Sequence, residues 1–326
     1  MARRVERGFR PDIEGLRAVA VGVVVAYHAG VPGFAGGFVG VDVFFVLSGY
    51  LITRLLLGEL AATGTIALGE FWGRRARRLL PAAALTVVVT ALGALVVLPP
   101  LAVRQFAGDA LGAATFTSNF VFAHRLGDYF GAQLGAAMPS PLLHFWSLAV
   151  EEQFYLLWPP VLALLTRRPR RYRQLAIAVA AALTIVGFVA AAMFTSSHPT
   201  AAFFLLPTRM GELLAGALVA LAGPAVLRLA AAHRAVLGWV GLGGIAWSTV
   251  AFDEAVAWPG VAVLAPVVAT VAVIVAGVRP VVGVAPVRVL RAMPLQWVGR
   301  HSYAIYLWHW PVLVLAAAQF GPLGVP

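Results

Sequence analysis

Apolar runs of about 20 residues, the length needed to cross a hydrocarbon core about 30 Å thick, recur along the chain between short polar stretches. Windows of that length predict membrane-spanning helices near 16–34, 37–58, 79–99, 144–165, 174–195, 203–222, 235–252, 258–278 and 300–319. The pattern predicts an all-α fold, a polytopic bundle of about nine transmembrane helices forming one domain over 1–326. The stretch 104–124 departs from it, because Arg104, Asp109 and Asn119 interrupt a moderately apolar run.

Arginine placement decides how that stretch is read. If 104–124 does not cross, the clusters within 3–10, 74–78, 167–173, 228–234 and 279–291 all fall on one side, the cytoplasmic one. Segment 100–143 is therefore expected to be an outer-side loop or re-entrant segment. The N-terminus is then inside, and nine crossings put the C-terminus outside.

Composition agrees with a membrane protein: of 326 residues, 61% are hydrophobic and only 11% charged. The net charge of +11 would suit nucleic acid, but the basic residues, all arginine, lie in short clusters between apolar runs, which is an orientation signal. No nucleic-acid partner is expected. Without cysteine there is no disulfide, thiolate metal site or cysteine nucleophile. Motifs of soluble hydrolases, zinc enzymes and nucleotide-binding proteins are missing as well. The first apolar run could pass for a signal peptide, but an uncleaved anchor is expected, since no convincing cleavage site follows.

Polar side chains inside the predicted spans carry the candidate chemistry. Arg17 and His28 are separated by about 16.5 Å of helical rise and about 1100° of rotation, so they share a face. A lone histidine bonded to a neighbouring carbonyl is the plain alternative. Asp42, at a similar depth in the next span, needs a polar partner, and His28 is the nearest candidate; an Asp–His pair would make the ring a better base, and a structural ion pair is the alternative. His144, Ser147, Glu151 and Tyr155 fall on one helical face, with Glu152 turned about 100° away. Arg209 and Glu212 are placed to neutralise each other, His309 lies two turns from Ser302, and Trp158 reads as an interfacial belt residue. The arginines of FWGRRARRLLP suit phosphate oxygens, although orientation alone accounts for them.

Six segments together resemble the acyltransferase-3 family of integral membrane O-acyltransferases: RPDIEGLRAVAVGVVVAYH, GGFVGVDVFFVLSGYLIT, FWGRRARRLLP, HFWSLAVEEQFYLLWP, RMGELLAG and YAIYLWHWP. Such bacterial enzymes modify cell-surface polysaccharides, peptidoglycan and O-antigen. The resemblance implies transfer of an acyl group, usually acetyl, from cytoplasmic acyl-coenzyme A (acyl-CoA) to a glycan or lipid-linked sugar hydroxyl beyond the cytoplasmic membrane, with no bound cofactor and no metal. It makes His28 the general base or acyl carrier, Asp42 its orienter, and Glu151 a further catalytic position. Arg17, Arg74, Arg75 and Arg78 would bind acyl-CoA. Gly36, Gly37 and Phe38 match an outer-loop motif, and Trp146 belongs to the fourth-segment motif. Ser48, Ser147, Tyr155, Arg209, Glu212 and His309 would line the cavity that takes the acceptor.

The family pattern resembles ten crossings with both ends inside. The nine predicted here stop seven residues before the end of the chain, so a last helix and any appended soluble domain are expected to be missing. Two other readings stay open: a proton-coupled transporter, whose relays also use buried His, Asp and Glu, and a truncated, inactive member of the family.

Overall fold

The computed structural model describes residues 9–127, 139–223, 229–278 and 286–321. Arg3, Arg4, Arg7, Arg228, Arg279 and the chain end at Pro326, on which the expected orientation partly rested, lie outside them. Among the described residues every regular element is helical: α1 (Pro11–His28), a short 3-10 turn (Gly37–Val39), α2 (Gly40–Thr63), α3 (Leu68–Val97), α4 (Pro100–Ala114), α5 (Ser118–Gly127), α6 (Phe145–Thr166), α7 (Tyr172–Ser197), α8 (Pro199–Phe204), α9 (Leu206–Leu221), α10 (Ala231–Ala251), α11 (Leu264–Ala276), α12 (Pro286–Leu290) and α13 (Met293–Phe320).

Each predicted span coincides with a helix, with differences that have physical causes. Six helical stretches, Gly37–Thr63, α3, α6, α7, Pro199–Leu221 and α13, are long and apolar enough to cross a membrane. Of the other three, α1 carries Asp12, Glu14 and Arg17 in its 18 residues, and α10 mixes glycine and tryptophan into its apolar run. The third, α11, has only 13 residues, because irregular turns take up the start of the predicted 258–278 span. The arginine cluster 74–78 lies within α3, which begins at Leu68 rather than near 79, so these side chains are spaced by helical geometry and not on a loop.

Helices of this bundle turn apolar side chains outward and bury hydroxyls. On α3, Leu85, Val88, Leu92 and Val96 are exposed, whereas Thr86 and Thr90 are buried. On α7, Ile185, Val186, Val189 and Met193 are exposed in the same way. A lipid surround favours this inversion, since association there comes from close packing of small residues and from interhelical hydrogen bonds. Helices α2 and α9 cross at Gly49 and Gly216: a Cβ on Gly49 would run into the Leu213 backbone, and one on Gly216 into the Val46 carbonyl.

The interrupted stretch folds as two helices, α4 and α5, of 15 and 10 residues, each shorter than a crossing requires. Its polar residues are satisfied inside the protein. Buried Asp109 pairs with Arg125, and Asn119 and Gln153 of α6 exchange amide hydrogen bonds of 3.3 and 2.8 Å. Trp158 corrects another expectation: it is buried and donates its indole N–H to Thr53 Oγ1 at 2.8 Å, so it is a core residue and not part of an interfacial belt.

Candidate active site

Two cavities lie toward opposite ends of α1 and abut at Val41 and Tyr306, which line both. One, of about 790 Å³, holds Arg17 near the start of α1. The other, of about 620 Å³, holds His28 at its end. Both volumes are in the range of small-molecule sites. Arg17 and His28, expected on one face of α1, thus line different cavities.

Arginines and carboxylates together line the larger cavity. Arg17, Arg54, Arg75 and Arg78 line it together with Glu151 and Glu152. The stripe predicted on α6 is split, with His144 in the lining of the smaller cavity and the rest here: Ser48 donates to Glu151 Oε1 at 2.6 Å, Tyr155 donates to the same oxygen, and Ser147 also lines this cavity. Glu152, set aside by its helical phase, enters the wall because α3 approaches from that side. Its carboxylate pairs with Arg75 at 3.3 Å, and the Arg75 guanidinium sits 3.7 Å from the centre of the Tyr155 ring. Arg74 is a correction: it lines neither cavity, is exposed, and pairs with Glu59 and Glu70 at 2.9 and 3.1 Å.

Aromatic side chains wall the smaller cavity, among them Phe38, Trp146, Trp258 and Trp310, with Asp253 and Glu254 also in its lining. Tyr27 donates to Glu254 at 2.9 Å. Of the expected loop motif only Phe38 lines the cavity. Gly36 and Gly37 instead allow close backbone packing, Gly36 donating its N–H to the Thr249 carbonyl of α10 at 2.9 Å and Gly37 lying on α1.

The expected partner of His28 is overturned. Its Nδ1 lies 3.1 Å from Nε2 of His309, and its ring contacts Trp310 with centroids 4.6 Å apart. Asp42 is fully buried, lines neither cavity, and accepts a hydrogen bond from Arg209 Nη2 at 2.7 Å. Arg209 also pairs with buried Glu212 at 3.2 Å, so the expected i,i+3 pair is half of a three-residue cluster. Phe45, Trp146 and Phe203 pack around its guanidinium, 5.4 to 5.9 Å from their ring centres. Helix α2 is rotated so that Asp42 faces Arg209 of α9 and not His28.

Tyr306 and His144 complete the centre. Tyr306 divides the cavities, its hydroxyl 2.6 Å from Ser147 Oγ and 3.3 Å from the His144 carbonyl. His144 Nε2 lies 3.0 Å from the Leu307 carbonyl, and its ring packs edge-on against His309 with centroids 5.6 Å apart. Helical phase puts His144 on the stripe of Ser147 and Glu151, whereas no signal along the sequence set Tyr306 apart. Among the described residues no group of three or more His, Cys, Asp or Glu is placed to hold a metal ion.

A family model described as an acyltransferase domain matches residues 10–326. The chain belongs to the acyltransferase-3 family. It is 32% identical to the peptidoglycan O-acetyltransferase OatA of Listeria monocytogenes, over 96% of this chain and 50% of that protein. Identity to the O-acetyltransferase OatA of Staphylococcus aureus is 35%, over 96% of this chain and 52% of the relative. This acyltransferase-3 chain thus spans about half the length of these curated relatives. No solved structure matches it.

Proposed function

We propose that the chain is a membrane O-acyltransferase that passes an acyl group, acetyl, from acyl-CoA to a hydroxyl of a cell-wall glycan. One observation carries this reading: an arginine-lined cavity and a histidine-bearing aromatic cavity meet at Val41 and Tyr306. A transfer between two compartments needs a site for each substrate and a place where they meet. The acceptor class comes from the relatives, which are named for O-acetyl transfer and, in one case, for peptidoglycan.

Arg17, Arg75 and Arg78 hold the phosphates of the donor, each charge-assisted contact contributing about 1.5–3 kcal/mol. The thioester then extends toward Ser147 and Tyr306. From the other cavity the acceptor presents its hydroxyl to His28, with the aromatic wall giving apolar faces to the sugar ring. His28 takes the hydroxyl proton as the oxygen attacks the thioester carbonyl. The new C–O bond replaces the C–S bond, the thiolate of coenzyme A leaves, and the proton passes to it. A base placed in this way contributes about 10²–10⁴-fold in rate. With the arginine clusters on the cytoplasmic side, the donor cavity opens to the cytoplasm and the acceptor cavity to the outside.

Purified chain in lipid bilayers, given acetyl-CoA labelled in the acetyl group and soluble peptidoglycan fragments, is expected to label the glycan. His28→Ala should lower that transfer by about 100-fold or more without loss of membrane insertion. Label held on the chain before acceptor is added, and absent in His28→Ala, would make His28 an acyl carrier instead of a base. Wild-type protein that labels neither glycan nor itself overturns the proposal, and proton flux without transfer would favour a transporter.

A further inference from the structure

The side chain found beside His28, where a carboxylate was expected, is a second histidine, and the bonds around it leave one arrangement of protons. His309 Nδ1 lies 2.6 Å from the carbonyl oxygen of Tyr306, three residues earlier in α13. A carbonyl oxygen only accepts, so this nitrogen carries the proton. In a neutral imidazole the other nitrogen then holds a lone pair. That nitrogen, His309 Nε2, faces His28 Nδ1 at 3.1 Å. Two lone pairs cannot make this contact, so the proton of His28 sits on Nδ1 and its Nε2 holds the lone pair.

We propose that His309 is a positioning residue: anchored by the Tyr306 carbonyl, it fixes the tautomer of His28 so that Nε2 is the nitrogen able to serve the acceptor cavity. Stacking fixes the ring plane as well. The His28 and His309 rings lie 27° from parallel with centroids 5.2 Å apart, and Tyr27 and Trp310 flank His28 at 4.9 and 4.6 Å. A neutral orienter suits this place, because it sets the tautomer without adding a fixed charge to a membrane-spanning bundle, where charge is costly. Asp42, the carboxylate expected beside His28, is held by Arg209.

The inference rests on the proposed role of His28, and its test separates the two. In protein labelled with ¹⁵N-histidine in bilayers, His28, assigned by its loss in His28→Gln, is expected to be protonated at Nδ1 and bare at Nε2. His309→Leu should abolish that signature. A catalytic histidine in the wrong tautomer loses up to about 10⁴-fold in turnover, so His309→Leu should lower kcat by about 100-fold or more. The KM for acetyl-CoA, which binds in the other cavity, should stay within about twofold. His309→Gln, whose Oε1 accepts from His28 Nδ1, is expected to recover about tenfold or more of the lost turnover. Protonation of His28 at Nε2 in the wild type, or an unchanged tautomer in His309→Leu, overturns the proposal. If the expected tautomer is found in a chain that transfers no acetyl group, the functional reading fails and the positioning of His28 stands.

Discussion

Asp42, Arg209 and Glu212 form a fully buried cluster in which two carboxyls share one guanidinium, and its response to substitution follows from that count. Asp42→Asn keeps an oxygen able to accept from Arg209 Nη2 and leaves Glu212 as the opposite charge. The cost is one charge-assisted bond exchanged for a neutral one, about 1 kcal/mol. Arg209→Met removes the cation that both carboxyls face and should cost about 3–5 kcal/mol, the usual penalty for orphaning a buried charge. The double variant Asp42→Asn with Glu212→Gln orphans Arg209 instead. It should cost a similar amount, well above the sum of its two singles, because either carboxyl alone can hold the guanidinium. Unfolding by SDS titration in mixed micelles, followed by tryptophan fluorescence, reads all four. Acetyl transfer in Asp42→Asn is expected to stay within about tenfold of wild type, since Asp42 does not touch His28 or either cavity. Additive losses, or a stable Arg209→Met, would refute the charge count. A folded Asp42→Asn that loses transfer by about 100-fold or more would return Asp42 to the catalytic machinery.

The two faces of the arginine cluster separate in the same transfer assay. Arg75→Ala should raise the KM for acetyl-CoA by about tenfold or more, whereas Arg74→Ala, whose side chain is held outside the cavity by Glu59 and Glu70, should change it by less than about twofold. Equal effects at the two positions would reduce the cluster to an orientation signal. At the crossing of α2 and α9, Gly216→Val should abolish monodisperse protein in detergent, because its side chain meets the Val46 carbonyl. Gly22→Ala, which meets open space on α1, should be neutral or stabilising by up to about 1 kcal/mol.

Long-range periodicity made the helices and much of the candidate machinery legible. An apolar run of membrane length admits little besides a helix, because the backbone must bond within its own segment. The common face of Arg17 and His28 and the stripe of Ser147, Glu151 and Tyr155 also follow from helical phase alone. Phase places a residue on its own helix and says nothing of which neighbour that face meets. For this reason the nearness of Asp42 in sequence pointed to the wrong partner for His28, and Glu152, about 100° off the stripe, was set aside.

By itself the sequence determined an all-helical membrane bundle of one family, with ionisable residues at set positions along its helices. Only the tertiary structure decided how they combine. Close packing of α2 on α9 commits Asp42 to Arg209, and the docking of α13 against α1 brings His309 to His28. The approach of α3 to α6 turns Arg75 toward Glu152 and leaves Arg74 outside. Rotation about a helix axis is fixed by fit against its neighbours, residue by residue across the chain, and no local pattern carries that information.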